Sequence, residues 1–296
     1  MAGRRFLKPE ALSRLSNLKL IARTVVEGFI TGLHRSPYHG FSVEFAEYRE
    51  YTPGDDLKHF DWRAYARTER HFIKLYQEET NLKAYVLLDC SGSMGYRSNG
   101  VSKFEYACYL AASLSYLMVR QHDAVGFALF DRLVRLNMPP RASFGHLHNI
   151  LIQLERAGPA ATSGIAEALH AVADNLKRRG LVVVVSDLWD EQDEVLRGLH
   201  HFRHDRHEVI LFHVLDPAEL DFPFAGNVTF EDMETSERVA LPAHLFQEEY
   251  RKRLALWLDE YRRRCAEERI DYVQARTDEP FDWLLARYLA KRARLA

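Results

Sequence analysis

The sequence has no long apolar run and few cysteines, and both shortages limit what the protein can be. A spanning helix needs roughly 18 or more consecutive apolar residues, whereas the longest candidate, 107–119, is shorter and contains Ser113 and Ser115. The cysteines are Cys90, Cys108 and Cys265. They form no CxxC pair and no even disulfide framework, which favours a reducing compartment. The basic residues 1–29 lack the uninterrupted apolar block of a secretory signal, so we expect a cytoplasmic protein.

Strong net charge and phosphate-binding loops are also missing. The 296 residues carry 40 Lys and Arg against 42 Asp and Glu, a net charge of -2, so no overall field would hold the chain on nucleic acid. Neither GxxxxGK[ST] nor GxGxxG occurs, which argues against nucleotide hydrolysis. Hydrophobic residues make up 47% of a chain without internal repeats or Gly/Ser linkers, as in a folded protein.

Residues 1–81 differ in character from the rest. Apolar residues recur at helical spacing from Pro9 to Thr31, which predicts a helix that packs on the protein or, alternatively, lies on a membrane surface. Turn signals and short alternating runs over 34–80 predict a small β-rich layer. Its centre, EYREYTPGDDLKHFDWRAYARTER, is dense in charge and suits either a partner-binding surface or an internal ion-pair network.

Residues 82–296 alternate apolar strands with amphipathic helices, which predicts an α/β domain with a mainly parallel sheet covered by helices. The predicted strands are 84–89, 124–130, 181–186, 208–215 and 270–275, with a short edge strand at 133–136. The predicted helices are 102–121, 145–155, 164–178, 191–203, 242–269 and 281–294. A hairpin around 228–241, formed by 230–235 and 238–241, is expected as an insertion.

The chemistry of the chain is concentrated where the first of these strands ends. Asp89, Ser91 and Ser93 alternate on a turn and present hard oxygen atoms, the ligands that suit Mg²⁺. Thr162-Ser163 and Asp187 fall at other strand-to-helix junctions, which open parallel sheets bring to the same edge. Hydroxyls carry no charge, so an ion held there would stay electropositive and attract an outside carboxylate. The alternative without a metal is that these residues only cap the start of a helix or turn.

This pattern resembles the metal-ion-dependent adhesion site of von Willebrand factor A-like domains. That site combines an Asp-x-Ser-x-Ser turn with a threonine from a second loop and an aspartate from a third. The resemblance implies a Rossmann-like fold and metal ligands Asp89, Ser91, Ser93 and Asp187. Thr162 matches the threonine by residue type and Ser163 by position, so both stay candidates. The implied ion is Mg²⁺, with Mn²⁺ as an alternative.

A second resemblance covers the chain from about Glu27 to its end. HRSPYHGFSVEFAEYREYTPGDDLKHFDWRAYARTERHFIKLYQEE followed by LLDCSGSM is similar to the bacterial MoxR-associated subgroup called domain of unknown function family 58. The charged block with Asp61-Trp62-Arg63 and Arg67 is far more specific than the metal turn, which favours a family-specific structural or docking role for it. The resemblance implies a MoxR-type AAA+ ATPase, or a client protein of one, as the partner.

These observations predict a non-enzymatic, Mg²⁺-dependent protein-binding module that captures an acidic side chain of its partner. One alternative is a metal-dependent phosphoryl hydrolase with Asp89 as nucleophile, although such enzymes commonly need a second carboxylate where this chain has Ser91. Another is a metal-free adaptor that docks through residues 47–70. The histidines His200, His201, His204 and His207 are interpreted as a solvated surface and not as a metal cluster.

Overall fold

A computed structural model describes most of the predicted α/β domain and parts of the N-terminal segment. The described residues are 17–34, 48–50, 72–74, 82–160, 164–176, 178–233, 235, 237–280 and 282–292. Several sequence predictions lie outside them: the first half of the N-terminal helix, most of the β-rich layer over 34–80 including residues 51–70 of its charged block, and both Thr162 and Ser163.

Six strands form the central sheet. In chain order they are β3 (Lys83–Asp89), β4 (Ala124–Phe130), β5 (Val134–Arg141), β6 (Leu181–Ser186), β7 (Glu208–Leu215) and β10 (Asp271–Arg276). The first two strands of the chain, β1 (Tyr48–Glu50) and β2 (Phe72–Lys74), form a separate antiparallel pair. The spatial order in the central sheet is β10-β7-β6-β3-β4-β5, and every neighbouring pair is parallel except β4 with β5. The predicted mainly parallel sheet is therefore confirmed.

Helices cover both faces of this sheet. They are α1 (Leu18–His34), α2 (Lys103–Arg120), α3 (Phe144–Arg156), α4 (Ile165–Asn175), α5 (Gln192–His204), α6 (Pro217–Asp221), α7 (Ala243–Glu267) and α8 (Asp282–Arg292). One apolar core joins α1, α2, α3 and α8 to the sheet, and a second joins α4, α5 and α7 to its other face. Strand β6, between these cores, is buried throughout, which explains its continuous apolar sequence.

Helix α1 packs on the protein. Its residues Ile21, Ala22, Val25 and Val26 are fully or almost fully buried in the core that contains α2 and α3. Their spacing of one, three and four puts them on one helical face, so the apolar stripe has a partner within the chain. None of the helices in the described ranges is long and apolar enough to cross a bilayer.

Some predicted boundaries were wrong, for reasons that the structure explains. Strand β5 continues to Arg141, well beyond the predicted end at Leu136, because an antiparallel edge strand tolerates Pro139 and Pro140. Helix α4 is shorter than predicted at its C-terminal end. A 3₁₀ turn (Gly92–Gly95) and helix α6 were missed because both are very short. The predicted hairpin is present as β8 (Asn227–Glu231) with β9 (Arg238–Pro242).

Gly180 precedes β6 at a point where the backbone leaves no room for a side chain. A Cβ atom there would lie 2.2 Å from the carbonyl oxygen of Lys83 in β3. We therefore expect Gly180→Ala to lower the free energy of unfolding by about 2 kcal/mol or more, as overpacking does. Urea denaturation measures this change.

Gly145 is the matched control because nothing lies within 4 Å of the Cβ position there. It is in helix α3, where alanine is favoured over glycine, so Gly145→Ala should leave stability unchanged or raise it by up to about 1 kcal/mol. Equal stability of the two variants would contradict the close approach of β3 to residue 180.

Candidate functional site

The first part of the site is the turn that follows β3. The backbone N–H of Ser91 donates a hydrogen bond of 2.8 Å to Asp89 Oδ1 and thereby curls the chain back over the strand end. The hydroxyl oxygens of Ser91 and Ser93 then lie 3.1 Å apart on the same side of the turn. Asp89 and Ser91 are buried, whereas Ser93 is partly exposed. The turn thus directs three side-chain oxygens towards one place at the edge of the sheet.

Cys90 points away from these oxygens into the protein. Its thiol donates a hydrogen bond of 3.2 Å to the carbonyl of Phe130 in β4. Burial is the main cause that raises the pKa of Cys90 to about 12, so this thiol stays protonated at neutral pH. All three cysteines are buried and unpaired.

The second loop of the site reaches the same turn through its backbone. The N–H of Ala160 donates a hydrogen bond of 2.6 Å to the carbonyl of Cys90. On the other side of the loop, Gly164 approaches Arg132 so closely that a Cβ atom would lie 2.6 Å from Cγ of that arginine. Thr162 and Ser163 lie between these two anchors and outside the described residues, so their contribution stays a prediction.

The third loop begins at the end of β6, the strand next to β3. Because these parallel strands run in register, Ser186 comes level with Asp89, and its hydroxyl donates a hydrogen bond of 2.6 Å to Asp89 Oδ2. Asp187 follows at once and is also fully buried. Burial and then the negative charge of Asp187 raise the pKa of Asp89 to about 7. The two carboxylates are therefore electrostatic neighbours. Asp89, Ser91, Ser93, Ser186 and Asp187 are called the rim site below.

His213 holds the backbone of the third loop. Its Nε2 lies 2.8 Å from the carbonyl oxygen of Asp187, and its Nδ1 lies 2.8 Å from the hydroxyl of Tyr272. A carbonyl only accepts, so Nε2 carries the proton and Nδ1 accepts from the tyrosine. Burial lowers the pKa of His213 to about 3, so the ring is neutral. The backbone of Asp187 is thus held by an uncharged side chain.

A buried lysine holds the side chain of Asp187. Lys103 is the first residue of α2, and its Nζ lies 2.7 Å from Asp187 Oδ2 and 2.5 Å from Glu219 Oε1. Burial would lower the pKa of Lys103, but the two carboxylates outweigh that effect and raise it above its ordinary value. The lysine stays charged although a cation is unfavourable at a helix N-terminus. The charges of Asp187 and Glu219 offset this cost.

Glu219 extends the site to α6 and to the aromatic side chains beside it. One carboxylate oxygen accepts from the backbone N–H of Asp216 and completes the N-cap of α6, and the other accepts from Lys103 and, at 3.3 Å, from Trp189 Nε1. Burial raises the pKa of Glu219, although Lys103 opposes this shift. The partly exposed Trp189 ring stacks on Trp257 at 4.8 Å.

Sequence reasoning missed Lys103, Ser186, His213 and Glu219 as parts of the site. The sequence carried a weak signal for Lys103, since a lysine follows the N-cap Ser102 in a helix whose capping box is otherwise regular. Asp216-Pro217 with Glu219 likewise has the spacing of a capping box. Neither signal identifies which distant side chain will be the partner.

The histidines near the end of α5 differ in exposure: His200 and His204 are exposed, whereas His207 is buried, so the predicted solvated surface was wrong for His207. His170 and His201 approach each other with their Nδ1 atoms 3.2 Å apart, and Asp174 and Asp205 lie 3.7 Å from His201 Nε2. Within the described part of the chain, no group of three or more His, Cys, Asp and Glu side chains is arranged to hold a metal ion. The rim site has only two carboxylates, and its other candidate ligands are hydroxyls.

The fold and the rim site define a mixed α/β protein with a polar site where the parallel strands end. The chain belongs to the family described as protein of unknown function DUF58, whose model matches residues 47–259. It is 28% identical over 232 residues to the uncharacterized proteins Mb1516 of Mycobacterium bovis and Rv1480 of Mycobacterium tuberculosis. These alignments cover 77% of this chain and 72% of each relative.

Two solved structures are similar in outline. The conserved hypothetical protein BatB from Bacteroides thetaiotaomicron has a TM-score of 0.48 and 15% identity, covering 72% of this chain and 99% of that one. The SpRpn10 VWA domain has a TM-score of 0.40 and 9% identity, covering 70% of this chain and 94% of that one.

The contacts of Lys103 predict a large stability loss on its removal. Lys103→Met leaves the buried carboxylate of Asp187 and the mostly buried carboxylate of Glu219 without their shared cation, and breaking a buried pair of this kind costs about 3–5 kcal/mol. We expect chemical denaturation to show a loss of this size. The double variant Lys103→Met/Glu219→Gln should regain part of it because one buried charge is then gone.

Arg120, at the exposed C-terminal end of the same helix, is the matched control. Arg120→Met also deletes one positive charge, but at a solvent-exposed position, so it should lower the free energy of unfolding by about 0.5 kcal/mol or less. If Lys103→Met and Arg120→Met were equally stable, the bridging role of Lys103 would be refuted.

Proposed function

We propose that the protein is a non-enzymatic binding module that holds Mg²⁺ at the rim site and uses it to capture an acidic side chain of a partner protein. The observation that carries the proposal is the convergence of Asp89, Ser91 and Ser93 on one turn, beside the Asp187 loop. The site stands at the carboxyl ends of adjacent parallel strands, where open α/β sheets commonly bind their ligands.

The spacing of the oxygen atoms supports this ion. Mg²⁺ binds oxygens at about 2.1 Å with near-octahedral angles, so two neighbouring ligands lie about 3 Å apart. The hydroxyls of Ser91 and Ser93 are separated by 3.1 Å. The oxygens of Asp89 accept hydrogen bonds from Ser91 and Ser186, and a carboxylate has about four lone-pair sites in all for such bonds and for an ion. The residues present therefore fit a small, hard cation, with Thr162 or Ser163 as a further ligand and Mn²⁺ as a substitute ion.

The charges around the site explain why a bound ion would attract an outside carboxylate. Lys103 already pairs with Asp187, and the serine ligands are neutral. Asp89 is thus the one rim-site carboxylate, within the described residues, that has no cationic partner. A divalent ion held mainly by Asp89 and hydroxyls keeps excess positive charge, which a carboxylate of the partner neutralises.

The resemblance of the sequence guides the identity of the partner. We propose a MoxR-type AAA+ ATPase, or a client protein that such an ATPase remodels. The unpaired state of all three cysteines agrees with a reducing compartment, so the proposed setting is the cytoplasm. A stable complex buries about 1,000 Å² or more, so surfaces around the ion must contribute to the contact.

A metal-free adaptor is the second candidate, and the Lys103 ammonium favours it. This internal cation already neutralises Asp187. In that case Asp89, Ser91 and Ser93 serve to cap the turn after β3, and docking depends on other surfaces. Calorimetric titration with Mg²⁺ and with Mn²⁺ separates the two functions, since only the binding module takes up the ions.

Asp89→Asn tests the metal site without disturbing the fold. The amide keeps the acceptor for Ser91 N–H and is nearly isosteric, while the desolvation of a buried charge is removed. We expect this variant to unfold at the same or a higher temperature than the natural protein in chelator. Millimolar Mg²⁺ should raise the melting temperature of the natural protein and leave Asp89→Asn unchanged.

Asp190→Asn is the control, because Asp190 is an exposed acid in the same loop as Asp187. This variant should respond to Mg²⁺ as the natural protein does. A second readout is capture of a purified MoxR-type ATPase, which should be lost in chelator and with Asp89→Asn. Capture that is insensitive to both would refute the metal-dependent mechanism.

The raised pKa of Asp89 predicts that Mg²⁺ and protons compete for this carboxylate. In the metal-free protein Asp89 has a pKa of about 7, against an ordinary value of 3.8. Its contribution to stability is therefore fully present below pH 4 and is lost as the pH rises through 7. Apparent Mg²⁺ affinity should fall by up to about tenfold per pH unit below 7. Calorimetry between pH 5.5 and 8 measures it, and a flat profile would contradict the prediction.

A further inference from the structure

A cavity with an aromatic lining lies beside the rim site. It has a volume of about 640 Å³ and lies between α6, the β8–β9 hairpin and the first turns of α7. Phe222 ends α6 in the left-handed conformation (φ 42°), which turns its ring inwards onto Phe230 at 5.7 Å and Tyr250 at 4.7 Å. The volume falls within the range of about 300–1,000 Å³ that is typical of ligand pockets.

The wall of this cavity remains open to solvent on the hairpin side. Val239 of β9 is 54% exposed and Phe246 of α7 is 46% exposed, although both line the cavity. Large apolar side chains that stay exposed around a concave surface are typical of interaction sites. The charged pair of Arg253 and Glu249 at this surface is neutral as a unit, so it selects neither an anion nor a cation.

The cavity and the rim site are linked through the Lys103 ammonium. Glu219 lines the cavity and is bound to the same Lys103 ammonium as Asp187, at 2.5 and 2.7 Å. Asp187 Oδ2 and Glu219 Oε1 are therefore separated by no more than the sum of these two distances. Beyond the end of β8, Met233 places its methyl group 3.5 Å from the position of a Cβ atom on Gly95, the last residue of the 3₁₀ turn. An extended chain advances about 3.3 Å per residue, so a few residues span the distance between the Asp187 and Glu219 carboxylates.

We propose that this cavity receives a bulky apolar side chain of the same partner segment whose carboxylate reaches the rim site. The inference rests on the proposed function and names the chemistry of the partner: an extended segment with an acidic residue and a Phe, Leu or Trp within about four residues of it. An ionic contact at a solvated surface contributes little alone, whereas an apolar anchor in a pocket is typical of binding hot spots. The apolar lining favours such an anchor.

Selection from a random library of displayed 12-residue peptides, with the full chain and Mg²⁺, tests the proposal. Enriched peptides should carry an acid and a bulky apolar residue at a constant short spacing. In a synthesised peptide of this kind, replacing the acid by its amide, or the apolar residue by Ala, should each weaken binding at least tenfold. Failure to enrich such peptides, or enrichment of peptides without the apolar residue, overturns the proposal.

Variants of the protein locate the contact. Val239→Trp fills the cavity from its exposed edge and should weaken the selected peptide at least tenfold while Mg²⁺ affinity stays unchanged. Phe246→Gln should act in the same direction by making the wall polar. Leu256→Trp is the matched control, because Leu256 is 62% exposed on α7 away from the cavity, and it should bind the peptide normally.

The outcomes separate this inference from the proposed function. Absence of Mg²⁺ uptake by the natural protein refutes the metal module itself. Normal Mg²⁺ uptake with peptide binding that ignores Val239→Trp refutes only the cavity. Light scattering that shows a dimer dissociated by Val239→Trp, or native mass spectrometry that shows a small apolar molecule in the cavity, assigns a different occupant and also overturns it.

Discussion

The ion pairs of Lys103 are the interaction on which the site depends. One buried ammonium binds the Asp187 loop, which follows β6, and Glu219 of α6, so the carboxyl edge of the sheet and the wall of the apolar cavity are held together by a single charge. Burying this cation costs several kcal/mol, and at a helix N-terminus the dipole adds to the cost. Two carboxylates within hydrogen-bonding distance offset that cost. The same pairs neutralise most of the negative charge of Asp187, so Asp89 is the rim-site carboxylate that would have to supply charge to the proposed ion.

The surroundings of Asp89 destabilise its charged form. Its carboxylate is fully buried and lies close to a second carboxylate, which raises its pKa, and only hydrogen bonds from Ser91 and Ser186 oppose this effect. A chain selected for stability alone would place an apolar or amide side chain there. The neutral His213, bound to the Asp187 carbonyl, adds rigidity without adding charge. A local unfavourable feature of this kind, here a buried charge compensated by the surrounding framework, is typical of functional sites.

The sequence predicted those features that depend on local pattern and strand direction. The run Leu181-Val-Val-Val-Val185 indicated a buried parallel strand, and the parallel direction was enough to bring Asp89 and Asp187 to one edge. Contacts between side chains that are far apart along the chain could not be predicted from the sequence. Lys103 binds Asp187 and Glu219, more than 80 residues away along the chain, and no periodicity encodes that contact. Strand β5 was predicted too short because prolines suggest a turn, whereas an edge strand needs few backbone donors.

A site that combines one unpaired carboxylate with hydroxyls is suited to a contact that can be made and released. An ion held loosely retains the positive charge that attracts a partner, but for the same reason it contributes little affinity without that partner. Specific capture therefore requires a second, uncharged contact nearby. The aromatic cavity is linked to Asp187 through Lys103, which binds both Asp187 and the cavity residue Glu219, and its edge is apolar and open. A partner would then be recognised by the spacing of two unlike side chains, which discriminates better than a carboxylate alone because surface carboxylates occur on almost every protein.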